Sequence, residues 1–261
     1  MAEGGQRLRE RIERASAEGR RALIPFLPAG FPHTETFWDH IRQLDEEGAD
    51  IIEIGVPFSD PVADGEAVEE ASQQSLGLGV DLDWIFSGLS GVRGQIQAEL
   101  VLMGYVNPFL QHGWERVARS MGECRVSGLI APDLPLEESA GPERALEKYG
   151  VSLIRLVGVN TSRERMQLYA EHAEGFLYFV SVLGTTGGSG GLSPQLARGL
   201  RQAGEIFPLP LALGFGLSRP EQLEGISERV DAVVFGSALI RHIRDGGSPG
   251  EFLARWRQGG N

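Results

Sequence analysis

Cysteine is nearly missing from this chain, with Cys124 alone among 261 residues. One thiol forms neither an intrachain disulfide nor a Cys-based zinc cluster, so a reducing compartment is expected. No apolar stretch approaches the roughly 18 residues of a membrane helix. The opening MAEGGQRLRERIERASAEGRR is polar and charged where a secretory signal has an apolar core. A soluble cytoplasmic protein is the expectation. Positive charge is also short, with 24 Lys+Arg against 36 Asp+Glu and a net charge of −12. Nucleic acid and anionic membrane are polyanions, so neither is expected as a partner, although a local site can still hold a small anion. Lysine is equally rare. Lys148 is the only one and falls in a helix pattern, which leaves no pyridoxal-binding lysine, and no Walker loop is present. His33, His40, His112, His172 and His242 are scattered without metal-ligand spacing, so no metal site is expected.

Apolar residues make up 41% and charged residues 23%, enough for a full core. The apolar residues gather in eight short runs, at 22–27, 50–56, 100–105, 127–131, 152–157, 176–181, 209–214 and 231–235. These runs are continuous rather than alternating, as expected of parallel strands buried on both faces. Helix patterns lie between them, at 34–47, 66–76, 114–121, 137–149, 162–173, 194–203 and 220–226, with an extra one at 82–92. In the first, Phe37, Ile41 and Leu44 recur at helical spacing, Thr34 is placed to cap and Gly48 follows the end. Trp38, Trp84, Trp114 and Trp256 fall in such patterns and are expected to pack. Eight βα units in this length favour a (β/α)8 TIM barrel over a doubly wound sheet. One α/β domain over 1–261 is expected, its core at about 22–257, with extra N-terminal and inter-strand helices.

In such a barrel the chemistry sits at the C-terminal ends of the strands. The second run and its loop read Ile52-Glu53-Ile54-Gly55-Val56-Pro57-Phe58-Ser59-Asp60-Pro61-Val62-Ala63-Asp64-Gly65. Glu53 is a carboxyl group between two isoleucines. Without a cation its pKa should rise into the range of proton transfer. The alternative is a structural ion pair with a neighbouring strand, for example with Arg155. Asp64 precedes a glycine in a Pro/Gly-rich loop, where it fits equally well as a turn former.

The whole segment 52–65 resembles the signature of the tryptophan synthase α chain family. Pro25-Phe26, Ala29-Gly30-Phe31-Pro32, Tyr105-Val106-Asn107-Pro108 and Ala131-Pro132-Asp133-Leu134-Pro135 extend the likeness. So do Tyr178-Phe179-Val180-Ser181, Gly184-Thr185-Thr186-Gly187, Gly214-Phe215-Gly216 and Gly236-Ser237, and the likeness runs from about 22 to about 243. The resemblance implies cleavage of indole-3-glycerol phosphate to indole and glyceraldehyde 3-phosphate, with Glu53 and Asp64 as the catalytic pair. It implies no cofactor in this chain. Pyridoxal phosphate would belong to a β chain, joined in an α2β2 heterotetramer that receives the indole. Pro57, Asp60, Asn107, Pro108 and Pro135 are expected at the rim facing that partner.

The residue chemistry agrees. Gly216, Gly236 and Ser237 stand just ahead of helix starts, where backbone N–H groups can cradle phosphate, although a glycine at a βα turn is often steric. Thr186 and Gly187 are expected to join them. Phe26, Tyr105, Ile130, Tyr178 and Phe215 would line a slot for a flat indole ring, although each tyrosine alone reads as a barrel-rim aromatic.

Against the family pattern, Pro28 replaces a threonine and Glu66 a proline, and no Lys, Arg or His lies between Ser181 and Arg198. Five glycines in 184–191 predict a mobile lid that is costly to order. Two other functions follow from the same residues. One is a free lyase that releases indole, and the other a weakly catalytic regulatory subunit of the β chain.

Overall fold

In a computed structural model, which describes residues 2–180, 193–214, 217–223, 226 and 229–258, all eight apolar runs become strands. They are β1 (Ala22–Pro28), β2 (Ile51–Gly55), β3 (Glu99–Met103), β4 (Gly128–Ile130), β5 (Ser152–Leu153), β6 (Arg155–Gly158), β7 (Leu177–Val180), β8 (Leu211–Gly214) and β9 (Ala232–Phe235). Every pairing is parallel, in the order β5-β4-β3-β2-β1-β9-β8-β7-β6. The two ends of that order, β5 and β6, are separated only by Ile154, so they are halves of the fifth run. One half pairs with β4 and the other with β7, and the sheet closes into a barrel.

Side chains alternate across the strands, and both faces are apolar. Ile24, Ile51, Val101, Ile130, Ile154, Phe176, Tyr178, Ala212 and Val234 fill the interior. Their strand neighbours Leu27, Ile52, Ile54, Leu102, Leu129, Phe179, Leu213 and Val233 pack under the outer helices. This two-sided burial is the reason the runs look continuous in sequence.

Around the barrel run α1 (Glu3–Ala17), α2 (Thr34–Glu46), α3 (Glu66–Gly77), α4 (Leu82–Val92), α5 (Val106–His112), α6 (Trp114–Glu123), α7 (Ala140–Glu147), α8 (Arg163–Ala170), α9 (Pro194–Ile206), α10 (Ser237–Arg244) and α11 (Pro249–Gln258). Among the described residues no helix is long and apolar enough to cross a membrane.

Three local expectations need correction. Thr34 is the first residue of α2 rather than its cap, and His33 at the cap makes no side-chain bond. The helix expected over 137–149 divides into a 3-10 turn (Leu136–Glu138) and α7. Ser139 stands between them, bonded through Oγ to the Leu136 carbonyl and to Glu143. Among the described residues of the pattern at 220–226, Pro220–Leu223 form a 3-10 turn.

Helix α1 closes the N-terminal mouth of the barrel. Leu8, Ile12 and Ala15 are fully buried and join the interior cluster. A β-carbon at Gly4 would overlap the Ser127 carbonyl, so glycine lets the helix sit directly on the strand ends. Arg7 anchors the contact, donating from Nη2 to Ser127 Oγ at 2.9 Å and from Nε to Glu99 at 3.2 Å. Truncating Ile12 to alanine should therefore lower unfolding free energy by about 2–5 kcal/mol, the usual range for an emptied core site. Urea denaturation of Ile12→Ala checks this. A loss under roughly 0.5 kcal/mol would make α1 an appendage, since surface changes stay in that range.

Candidate active site

Strand alternation sends Ile52 and Ile54 outward to the helices and Glu53 inward. Its register neighbours are Phe26 on β1 and Val101 on β3. Glu53 is fully buried, and neither carboxyl oxygen has a hydrogen-bond partner. Burial alone lifts its pKa to about 8. The alternative ion pair with Arg155 does not form. Leu156 lines the central cavity, so Arg155 beside it faces the helices, where it pairs with Glu143 and donates to Ser139 Oγ at 3.2 Å.

The loop after β2 carries Asp64 back over the barrel mouth. Its backbone N–H donates to the Pro61 carbonyl at 3.0 Å, so the turn-forming role is real as well. Its carboxyl group rises to about 6. Burial is the main cause and Glu69 adds to it, while a hydrogen bond from the Tyr105 hydroxyl works in the opposite direction. That hydroxyl accepts the Ala63 N–H at 2.9 Å, which leaves its proton for Asp64. Phe58 stacks on the Tyr105 ring at 5.3 Å. Burial pushes the Tyr105 phenol up to about 12. Tyr178 lies close enough to feel both Glu53 and Asp64, and burial with these two carboxyls holds its proton well above the ordinary range.

A cavity of about 530 Å³ opens at this end of the barrel. Of the residues expected from sequence, Phe26, Asp64, Tyr178, Gly236 and Ser237 line it. Glycines at the strand ends make room for the aromatic rings. A β-carbon at Gly55 would stand 2.7 Å from Phe26 Cζ and one at Gly236 2.8 Å from Phe26 Cδ1, and at Gly214 it would overlap the Tyr178 ring. Gly236 is also the N-cap of α10, whose first N–H groups lack helical carbonyl partners, as at any helix start.

Other expected residues stand elsewhere. Ile130 is fully buried in the barrel interior and does not line the cavity. Tyr105 does not line the cavity itself and meets its wall through Ala63 and Asp64. Thr186, Gly187, Phe215 and Gly216 lie outside the described residues, as does the expected lid at 184–191. At the rim, Asp60 and Asn107 are exposed and Pro108 and Pro135 half-buried. Pro57 is buried within this chain and borders a groove shared with Pro108, Gln111 and His112.

Sequence reading missed the wall formed after β6 by Asn160, Thr161, Arg165 and Tyr169. Their position just beyond a strand end was the available signal. It also missed Val62 and Leu110, apolar yet 89% and 60% exposed, beside the expected rim residues. Among the described residues no three His, Cys, Asp or Glu side chains form a metal-binding group.

The family model for the tryptophan synthase alpha chain matches residues 12–254. This chain belongs to that family. The Desulfovibrio desulfuricans tryptophan synthase alpha chain is 57% identical over 252 residues, covering 96% of this chain and 99% of its own. The Solidesulfovibrio magneticus α chain is 56% identical, with coverage of 96% and 98%. A crystal structure of the Legionella pneumophila α chain superposes with a TM-score of 0.86 at 31% identity, covering 99% of this chain and 97% of that one. A Mycobacterium tuberculosis tryptophan synthase structure gives 0.88 at 30% identity, with 97% of each chain covered. The α-chain barrel is thus common to relatives of widely different sequence.

The contact between Tyr105 and Asp64 has a measurable consequence. Removing the donated hydrogen bond with Tyr105→Phe should raise the Asp64 pKa further above about 6, because the anion loses its partner. A carboxyl titration by NMR checks this, and an unchanged or lowered value would contradict the hydrogen bond.

Proposed function

We propose that this chain is the α subunit of a tryptophan synthase and cleaves indole-3-glycerol phosphate to indole and glyceraldehyde 3-phosphate. The observation that carries the reading is the buried, unpaired Glu53, poised to hold a proton near neutral pH, with Tyr178 close to both it and a second carboxyl, Asp64, that gives its proton up more readily. Two carboxyls driven apart in pKa divide naturally into an acid and an anion.

In the reaction as we read it, Glu53 delivers its proton to indole C3, and the ring becomes an iminium cation. Asp64, as the anion, accepts the indole N–H hydrogen bond and stabilises that charge. The Glu53 carboxylate then takes the proton of the glycerol hydroxyl next to the ring. The C–C bond breaks, its electron pair restores the indole double bond, and the aldehyde forms. Glu53 ends protonated as it began, so one residue serves both transfers. Phe26 and Tyr178 would hold the ring, and the Gly236–Ser237 turn the phosphate. Thr186, Gly187, Phe215 and Gly216 keep their proposed places in the same site. The chemistry asks for no cofactor in this chain, and pyridoxal phosphate falls to the β partner. A single buried thiol suits the reducing cytoplasm.

We read the rim of Asp60, Val62, Asn107, Pro108, Leu110 and Pro135 as the face toward a β chain in an α2β2 assembly. Val62 and Leu110 supply exposed apolar surface there, which a partner would cover.

Glu53→Gln keeps the size of the side chain and removes its proton, so turnover should fall by about 10²–10⁴-fold with substrate binding nearly unchanged. Activity within a few-fold of wild type would remove Glu53 from the mechanism. The pH dependence has a definite sign. Activity needs Asp64 ionised and Glu53 protonated, so kcat/KM should rise through about 6 and fall above about 8. A profile still climbing at pH 9 would refute this assignment. The partner is tested by indole formation with and without the β chain of the same genome. The expected gain is roughly 10- to 100-fold, on the scale of ordinary allosteric coupling. Equal rates would point to a free lyase, and negligible rates in both to a regulatory subunit.

A further inference from the structure

We infer that Arg165 is a specificity-determining residue, whose guanidinium draws the phosphorylated substrate into the cavity while Glu137 and Tyr169 hold it at the wall. The inference rests on the proposed reaction, since it concerns the phosphate of that substrate.

The need comes from charge. The chain carries a net −12, and one of its carboxyls, Asp64, stands on the cavity wall in the path of a phosphate dianion. An anionic ligand therefore meets repulsion at long range unless a local cation reverses the field at the mouth. Among the described residues lining the cavity, Arg165 is the only Lys, Arg or His. The segment 181–197, which follows β7, holds none in its sequence.

The guanidinium is also fixed in direction. Both its terminal nitrogens bond the two Glu137 oxygens, with Nη2 donating to Oε2 at 2.8 Å. Nη2 also donates to the Tyr169 hydroxyl at 3.3 Å, and the group lies over the Tyr169 ring at 4.8 Å from its centre. Glu137 lies outside the wall with 64% of its side chain exposed, against 31% for Arg165. Water therefore screens the negative end more than the positive one, and the pair presents a net positive face to the cavity. Glu137 positions the arginine and also masks part of its charge.

That double role separates an electrostatic function from a mere brace. Arg165→Gln should raise KM for indole-3-glycerol phosphate by roughly three- to tenfold, leave kcat within about twofold, and flatten the fall of kcat/KM with ionic strength. Arg165→Lys, which keeps the charge, should recover most of the affinity. Glu137→Gln should act with the opposite sign, lowering KM and steepening the salt dependence. A structural brace would make the Arg165 and Glu137 changes act alike, so equal rises in KM overturn the inference, as does an unchanged KM in Arg165→Gln. If Arg165→Gln fails to fold, Arg165→Lys and Glu137→Gln still give the sign. If the wild-type protein forms no indole, the proposed reaction has failed instead. Calorimetric binding of inorganic phosphate then decides for Arg165, which must be weaker in Arg165→Gln and tighter in Glu137→Gln.

Discussion

Alternation along one strand places a carboxyl group in a barrel interior filled mostly by hydrocarbon side chains. Once β2 turns Ile52 and Ile54 toward the helices, Glu53 has no choice but the inside. Its strand neighbours are Phe26 and Val101, and no described group offers it a hydrogen bond. In such surroundings the protonated form is the stable one at neutral pH, because an isolated buried anion loses most of its hydration. The charge state of the site thus follows from the pleat of a strand. Asp64 differs because it arrives on a loop, half-buried, with the Tyr105 hydroxyl to support its anion. The two acidities diverge because one group is held by a strand and the other by a turn.

The strand ends are where small residues are concentrated, and the reason is the aromatic rings rather than chain flexibility. Phe26 lies against Gly55 and Gly236, and Tyr178 against Gly214, in places where any β-carbon would collide with a ring. Those rings form part of the wall of the cavity. Gly236 serves both packing and helix start, so a steric reading and a phosphate reading of that residue are compatible. The opposite end of the barrel follows a different rule. There Gly4 brings α1 onto the Ser127 carbonyl, and Leu8 and Ile12 complete the core. One mouth is filled for stability and the other is left open for a ligand.

The eight strands were legible because burial on both faces leaves an unbroken apolar run, a signal that needs no knowledge of neighbours. Glu53 was legible because it breaks such a run. What escaped was set by residues far apart in sequence. Helix α5 was not expected, since the group that caps it is Asp133, which accepts the Val106 N–H at 2.9 Å from 27 positions away. Arg155 was a reasonable partner for Glu53 until alternation turned it to the outer face. Arg165 was hidden because a cation in a helix pattern reads as solvated surface. Only the loop preceding α8 shows that this face borders the cavity. The rim was half legible. Its prolines and polar residues stood out as loop signals, while Val62 and Leu110 did not, since exposure is not written in an apolar letter.

A group whose acidity is raised on folding works against the fold that raises it. The folded pKa of Glu53 is about 8 against an ordinary 4.5. Between those values the native chain holds a proton that the unfolded chain has released, so stability falls as pH rises across the interval. Above the folded pKa the loss is complete, because the native barrel must then contain an uncompensated anion. Glutamine or leucine at this position would escape the penalty, and nothing in the packing around Glu53 calls for a carboxyl. The barrel therefore gives up stability at one site for a proton held near neutral pH. The firm closure of the other mouth by α1, with Leu8, Ile12 and Ala15 all fully buried, is the kind of surplus that lets it do so.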